Sequence, residues 1–210
     1  MFFVSETIHN KLDAAFADLL ITYGASYKKV GKQELIFREG QMAQFFYIIE
    51  SGRVKMYNIN DEGREFIQGF FAAGNSFGEP PLITGEQYPA SAVALEPTVL
   101  IRMTRDKFVQ MVKENPDVHF AFTSLLAKRL LAKAQNMKDL TSYGPEHRIL
   151  SLLKQYKKHC GCPDHEQLQV ALTRQEIADM TGLRVETVIR TMKHMEEKGV
   201  LTIEHRKVIF

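Results

Sequence analysis

Glu186 and Arg190 stand four residues apart in Arg184-Val185-Glu186-Thr187-Val188-Ile189-Arg190, so on a helix they project side by side from consecutive turns. A guanidinium offers two donors that match guanine O6 and N7, and a carboxylate accepts from the cytosine amino group. The pair therefore suits a short G·C-containing step in a major groove, where Val185 or Ile189 is placed to touch a thymine methyl. It equally suits a solvated ion pair on a helix surface, which contributes little. A second cluster, His159-Cys160-Gly161-Cys162-Pro163-Asp164-His165, gathers two thiols and two imidazoles, ligand types that zinc takes. Structural zinc draws on two separated pairs, and Cys-x-Cys is not that spacing. We assign no metal here and expect an exposed loop.

The base-reading pair needs a helix held at a fixed angle, and the flanking residues supply one. Thr173 with Glu176 three residues on forms a capping box, which starts a helix near Arg174. Ile177 and Met180 give that helix an apolar edge, and Gly182 allows a sharp turn into a second helix. The second helix buries Val188, Met192 and Met195 at helical spacing and leaves Arg184, Glu186, Arg190 and Lys193 on its other side. Upstream, Arg148–Lys158 reads as a helix with Ile149, Leu152, Leu153 and Tyr156 inward. Downstream, Gly199–Ile203 and Val208–Phe210 flank Glu204-His205-Arg206-Lys207, a hairpin whose basic tip either rests on phosphates or keeps the turn soluble. Arg174, at a helix N-terminus, is a candidate phosphate contact, with Thr173, Gln175, Arg184, Lys193, Arg206 and Lys207.

Residues 1–25 read as a packing helix with Leu12, Phe16, Leu19 and Leu20 along one side. From Lys28 to Thr104 the pattern changes to short strands at Glu34–Arg38, Phe45–Glu50, Val54–Ile59, Glu65–Phe71, Ala90–Ala94 and Val99–Met103. Turn chemistry separates them, including Gly40, Gly52 and Gly63, to which no ligand contact is assigned. Such strands imply a jelly roll. A helix from Pro116 to about Tyr143 then carries Phe122, Leu126, Leu130, Met137 and Leu140 along one face, with Lys133 completing the spacing, and a stripe of this length calls for a partner helix. Ser142-Tyr143-Gly144-Pro145 breaks the pattern as a hinge. The expected fold is α+β: an N-terminal helix and jelly-roll-like β-barrel (1–115), a long dimerisation helix (116–143) and a C-terminal winged helix-turn-helix domain (144–210).

Composition excludes several classes. No run reaches the ~18 apolar residues of a membrane span, and Met-Phe-Phe-Val followed by Ser5-Glu6 is too short for a signal segment. Two cysteines build no disulfide framework, which suits a reducing cytoplasm. An iron–sulfur cluster needs four protein ligands, so none is expected. Residues 28–104 contain no histidine, which argues against a metalloenzyme on the roll. The net charge is only +2, and residues 145–210 hold eleven Lys/Arg against nine Asp/Glu, so DNA binding rests on placement, not on total charge.

From about Gln33 to the C-terminus the chain resembles the Crp/Fnr family of bacterial transcription regulators. Thr173-Arg174-Gln175-Glu176-Ile177-Ala178, Gly182 and the Glu186, Thr187, Val188, Arg190 series are similar to that family's DNA-reading helix-turn-helix. Val185 before Glu186 looks like the oxygen-responsive branch, with Ile189 where that branch usually has Ser. The resemblance implies a cyclic-nucleotide-binding-type β-roll and a TGA-like half-site core. It also implies a homodimer whose recognition helices lie about one DNA turn (~34 Å) apart, and RNA polymerase as a partner touched near the 159–165 loop. Gly78-Glu79 matches the place where cyclic-AMP-binding relatives hold the ribose. Those relatives follow with Arg-Ser about ten residues later, and this chain has Pro89-Ala90. Without that charged partner the resemblance argues against cyclic AMP. Lys133 stands where such relatives carry a base-touching hydroxyl, and it either faces an anionic effector or snorkels at the seam's edge.

The expected function is that of a cytoplasmic, homodimeric, non-enzymatic regulator that binds double-stranded DNA at palindromic TGA-type sites. It would be gated by an effector other than cyclic AMP, or by none. The alternative is a cyclic-nucleotide-responsive regulator with a rearranged phosphate site. No cofactor is identified.

Overall fold

In the computed structural model the alternating stretch from Ser26 to Thr104 becomes eight strands, following helix α1 (Ala14–Thr22). They are β1 (Ser26–Val30), β2 (Leu35–Phe37), β3 (Phe45–Ser51), β4 (Arg53–Ile59), β5 (Glu65–Ala72), β6 (Ser76–Phe77), β7 (Ser91–Ala94) and β8 (Thr98–Thr104), with helix α2 (Glu79–Thr84) between β6 and β7. The six strands expected from the sequence are all present, and β1 and β6 are additional. They form two four-stranded sheets, ordered β1-β8-β3-β6 and β2-β7-β4-β5, the double-sheet roll that alternation and tight turns imply. Residues 14–163 and 165–210 are described, so Leu12 of the expected first helix lies outside them.

β3 shows why the roll holds together, since successive strand residues point to opposite faces and both faces of β3 are buried. Phe46 stacks at 4.6 Å on Phe108 of helix α3 (Arg105–Glu114) and meets Phe122 of helix α4 (Pro116–Ser142) edge-on at 5.5 Å. On its other side Tyr47 stacks on Phe77 at 5.4 Å, inside the roll. Helix α3 was not anticipated. The long helix begins at Pro116, as read from the sequence.

Of the described residues, 14–58 and 68–130 form one unit and 59–67 and 131–210 the other, so that α4 is divided between Leu130 and Leu131. After α4 come α5 (Pro145–His159), β9 (Gln169–Val170), α6 (Arg174–Thr181), α7 (Val185–Glu197), β10 (Thr202–Glu204) and β11 (Lys207–Ile209). Helix α5 starts three residues before the expected Arg148 because Pro145 suits a first helical turn. Its Ile149, Leu152 and Leu153 join Ile177, Met180, Val188, Met192 and Met195 among the buried side chains. The strands form a small sheet, β10-β11-β9, that completes a winged helix-turn-helix. Among the described residues no helix is long and apolar enough to cross a membrane.

Candidate DNA interface and effector pocket

Helix α6 begins with the expected capping box. Thr173 Oγ1 accepts from the Glu176 amide at 3.1 Å, and Glu176 Oε2 accepts from the Thr173 amide and hydroxyl, each at 2.8 Å. Gly182 ends the helix at φ 64°, and the Leu183 amide donates to Ala178 O at 3.1 Å, which closes the turn into α7. Because an N-cap to Ala change typically costs about 1 kcal/mol, Thr173→Ala should lower the stability of the C-terminal unit by about that amount, read as a shift in its urea midpoint. Specific DNA binding should fall with it, since the same cap sets the start of α6, on which α7 is held.

Helix α7 divides cleanly. Val188, Met192 and Met195 are fully buried, whereas Glu186, Ile189, Arg190 and Lys193 are exposed, and Val185 is half-buried. Among the described residues no hydrogen bond or ion pair joins Glu186 to Arg190, so their heads stand free, as base reading requires and a surface ion pair does not. Arg184 is the N-cap residue of α7 and is exposed. Gln175 donates to Asp179 at 2.8 Å. Arg174 is half-buried: burial pushes its guanidinium below the ordinary value, against the pull of Glu196, which also accepts from the Ile203 amide at 2.8 Å. The wing turns at His205 and Arg206, both at positive φ as a two-residue hairpin turn demands, leaving Arg206 and Lys207 exposed at the tip.

The second candidate site, inside the roll, brings together buried side chains that contact one another. Glu79 at the start of α2 is wholly buried, and both its oxygens accept from Arg129 Nη1, at 3.0 and 3.1 Å. Arg129 Nη2 donates to Ser76 O at 2.8 Å, and the guanidinium lies 5.9 Å over Phe71. Arg129 Nε and Ser76 Oγ are buried without a hydrogen-bond partner. Close by, Tyr88 stacks face to face on Phe37 at 3.7 Å and donates to Phe45 O at 3.2 Å, while Phe37 lies 5.9 Å from both Tyr47 and Phe77. Burial pushes the Tyr88 hydroxyl well above the ordinary phenol range and raises Tyr47 as well. At Gly78, in the left-handed region at φ 78°, a Cβ would meet Tyr88 at 3.2 Å and Phe37 at 3.4 Å, so the rings close on the backbone itself.

Pro89 is exposed and Ala90 fully buried. Arg129, Tyr88 and Phe37 escaped the sequence reading. The signal for Arg129 was its spacing, since residues 122, 125 and 129 lie on one line of a helix and Phe122 and Leu125 are buried.

That line also corrects the expected dimer seam. Phe122 belongs to the roll's core, 6.5 Å from Phe16 and edge-on to Phe46 and Phe108, and Leu126 is half-buried. The expected stripe merged two faces of α4. Leu130 and Met137 are 68% and 67% exposed, and Phe120 is 74% exposed. With exposed Ala127 and Ala134 they follow one another at steps of seven, three, four and three residues, the spacing of a coiled-coil seam. Lys133 is exposed on the same helix, and Leu140 falls outside the residues whose side chains are described.

After α5, Cys160 is exposed, with partial burial of its sulfur raising the thiol, and Cys162 Sγ lies 3.7 and 3.8 Å from the carbonyls of Pro163 and Glu166. His165 sits beside Glu166 at 3.9 Å.

Residues 27–115 match the family model of the cyclic nucleotide-binding domain, and residues 147–210 match that of the Crp-like helix-turn-helix domain. The nitrogen fixation regulation protein FixK of Azorhizobium caulinodans is 29% identical over 171 residues, covering 80% of this chain and 68% of that protein. The cAMP-activated global transcriptional regulator CRP of Haemophilus influenzae is 28% identical over 194 residues, covering 91% and 86%. In fold, the c-di-GMP responsive global regulator CLP of Xanthomonas campestris superposes with a TM-score of 0.80 at 23% identity, covering 94% of this chain and 99% of that one. With a β-roll that matches the first model, followed by a long helix and a winged helix-turn-helix that matches the second, the chain belongs to the Crp/Fnr family of DNA-binding transcription regulators, which are not enzymes.

Proposed function

We propose that the protein binds palindromic DNA with TGA-type half-sites as a homodimer in the cytoplasm and does so without cyclic AMP. The observation that carries the first part is the free exposure of Glu186 and Arg190 on a helix whose other face is fully buried. Arg190 takes guanine and Glu186 the opposing cytosine. Lys193, Arg184, Arg206, Lys207 and the start of α6 hold phosphates. The exposed seam of Phe120, Leu130 and Met137 supports pairing with a second copy, because an apolar line of this length in water favours association. The segment after α5, with exposed Cys160, Gly161, Pro163 and His165, is offered to RNA polymerase.

Independence from cyclic AMP is supported by three features of the roll. Glu79 is already engaged by Arg129, Tyr88 and Phe37 occupy the interior, and Pro89-Ala90 supplies neither guanidinium nor hydroxyl for a phosphodiester. Titration of the purified protein against a TGA-type palindrome and a scrambled duplex, at fixed salt with and without cyclic AMP, tests both parts. The expected result is specific binding that the nucleotide leaves unchanged. Specific binding seen only with cyclic AMP would overturn the account of the pocket, and equal binding to both duplexes would overturn the account of α7.

A further inference from the structure

Asp139, near the C-terminal end of α4, is only 6% exposed, and among the described residues no lysine or arginine pairs with it. Its hydrogen-bond donors are neutral: Ser151 of α5 donates at 2.5 Å, and Gln135, one turn back on α4, at 3.0 Å. A buried carboxylate with neutral donors alone is costly, and a positive charge beside it offsets that cost. Among the described residues the neighbour able to bring one is His147 of α5, whose Nε2 lies 3.6 Å from Asp139 Oδ1. The imidazole is 47% exposed, so it trades protons with water. Its ring stacks on Tyr143 at 3.9 Å, and a protonated ring gains from that aromatic face.

These residues bracket the break at Gly144-Pro145, with Gln135, Asp139 and Tyr143 before it and His147 and Ser151 after it, all within the 131–210 portion of one unit. The other charged groups at the joint are engaged elsewhere or face water. Glu146 accepts from Lys198, at the end of α7, at 2.9 and 3.1 Å, with His194 of α7 nearby. Arg148 Nε donates to the Tyr143 carbonyl at 3.0 Å, and Lys138 and Lys154 are exposed.

We infer that Asp139, His147 and Ser151 form a proton-operated clasp between the long helix and the first helix of the DNA-binding domain. Ser151 holds the carboxylate, and His147 closes the clasp when its imidazole takes up a proton, which imidazoles do between about pH 8 and pH 5. Closure needs a protonated imidazole and an ionised carboxylate together. The clasp is therefore present on the acid side of neutrality and is lost as pH rises through the imidazole range, so α4 and α5 are joined more firmly near pH 6 than near pH 8. This does not depend on how α7 reads bases.

The test is hydrogen–deuterium exchange of the amides between residues 138 and 151 in the full-length protein, at about pH 6 and about pH 8, on either side of the imidazole range. Variants are compared at one pH, so that the intrinsic pH dependence of exchange cancels. His147→Gln should exchange about three-fold faster than the wild type at the lower pH, the size of a half-exposed ion pair, and at the wild-type rate at the higher one. In an Asp139→Asn background, His147→Gln should change nothing at either pH. The inference is overturned if His147→Gln has the same effect at both, which would make the imidazole a packing group, or if its pH-dependent effect survives Asp139→Asn, which would give the partner's role to Glu146.

Discussion

Arg129→Ala should destabilise the β-roll unit by about 3–5 kcal/mol, the usual effect of removing one partner from a buried ion pair. The reason is local. Glu79 is wholly buried and both its oxygens are engaged by the one guanidinium, which also satisfies Ser76 O. Removing the guanidinium leaves a carboxylate and a carbonyl without donors in a region walled by aromatic rings. Replacing both partners, as in Arg129→Met with Glu79→Leu, should recover most of the loss, because two apolar groups of similar size need no donors. Chemical denaturation of the two single variants and the double variant completes the cycle. A single-variant loss below about 1 kcal/mol would mean that water reaches the pair and that it behaves as a surface contact.

Arg190→Ala carries the second large effect, on binding. It should cost about 1–3 kcal/mol of affinity for the specific site and relax the choice of base at one position, while leaving affinity for random DNA nearly unchanged. Arg190 is exposed and outside the packed line of α7, so the fold should be unaffected. Lys193→Ala is the control: a phosphate contact has no sequence content, so all duplexes should weaken alike, and the slope of log affinity against log salt should fall by about 1. Equal losses on specific and random DNA for both variants would remove the division of labour along α7.

Placement at the candidate interface followed from local rules that a sequence displays openly. Thr173 and Glu176 are three residues apart because the box they form spans one helical turn, and the structure has both of its bonds. Gly182 marks a left-handed turn that other residues enter with strain, and the spacing of residues 188, 192 and 195 decides which side of α7 faces the core. The strands of the roll were legible for the same reason, as alternation broken by turn residues. Base-reading candidates then lie on whatever face remains.

Long-range packing was not legible. Phe122 and Leu130 are both apolar residues of one helix, and nothing in their spacing says that Phe122 closes the roll over Phe46 and Phe108 while Leu130 stands exposed. That depends on where the sheet lies. Glu79 and Arg129 are fifty residues apart, and Tyr88 and Phe37 are similarly remote. Sequence identified the missing Arg-Ser at Pro89-Ala90, but only the tertiary structure brought Arg129 to Glu79 and Tyr88 to Phe37. Helix caps, turns and amphipathic faces are interactions within about one turn of chain, so residue order specifies them. A buried ion pair or stacked ring is specified by the sum of many distant contacts, and it becomes visible only when the sheets and the long helix are in place.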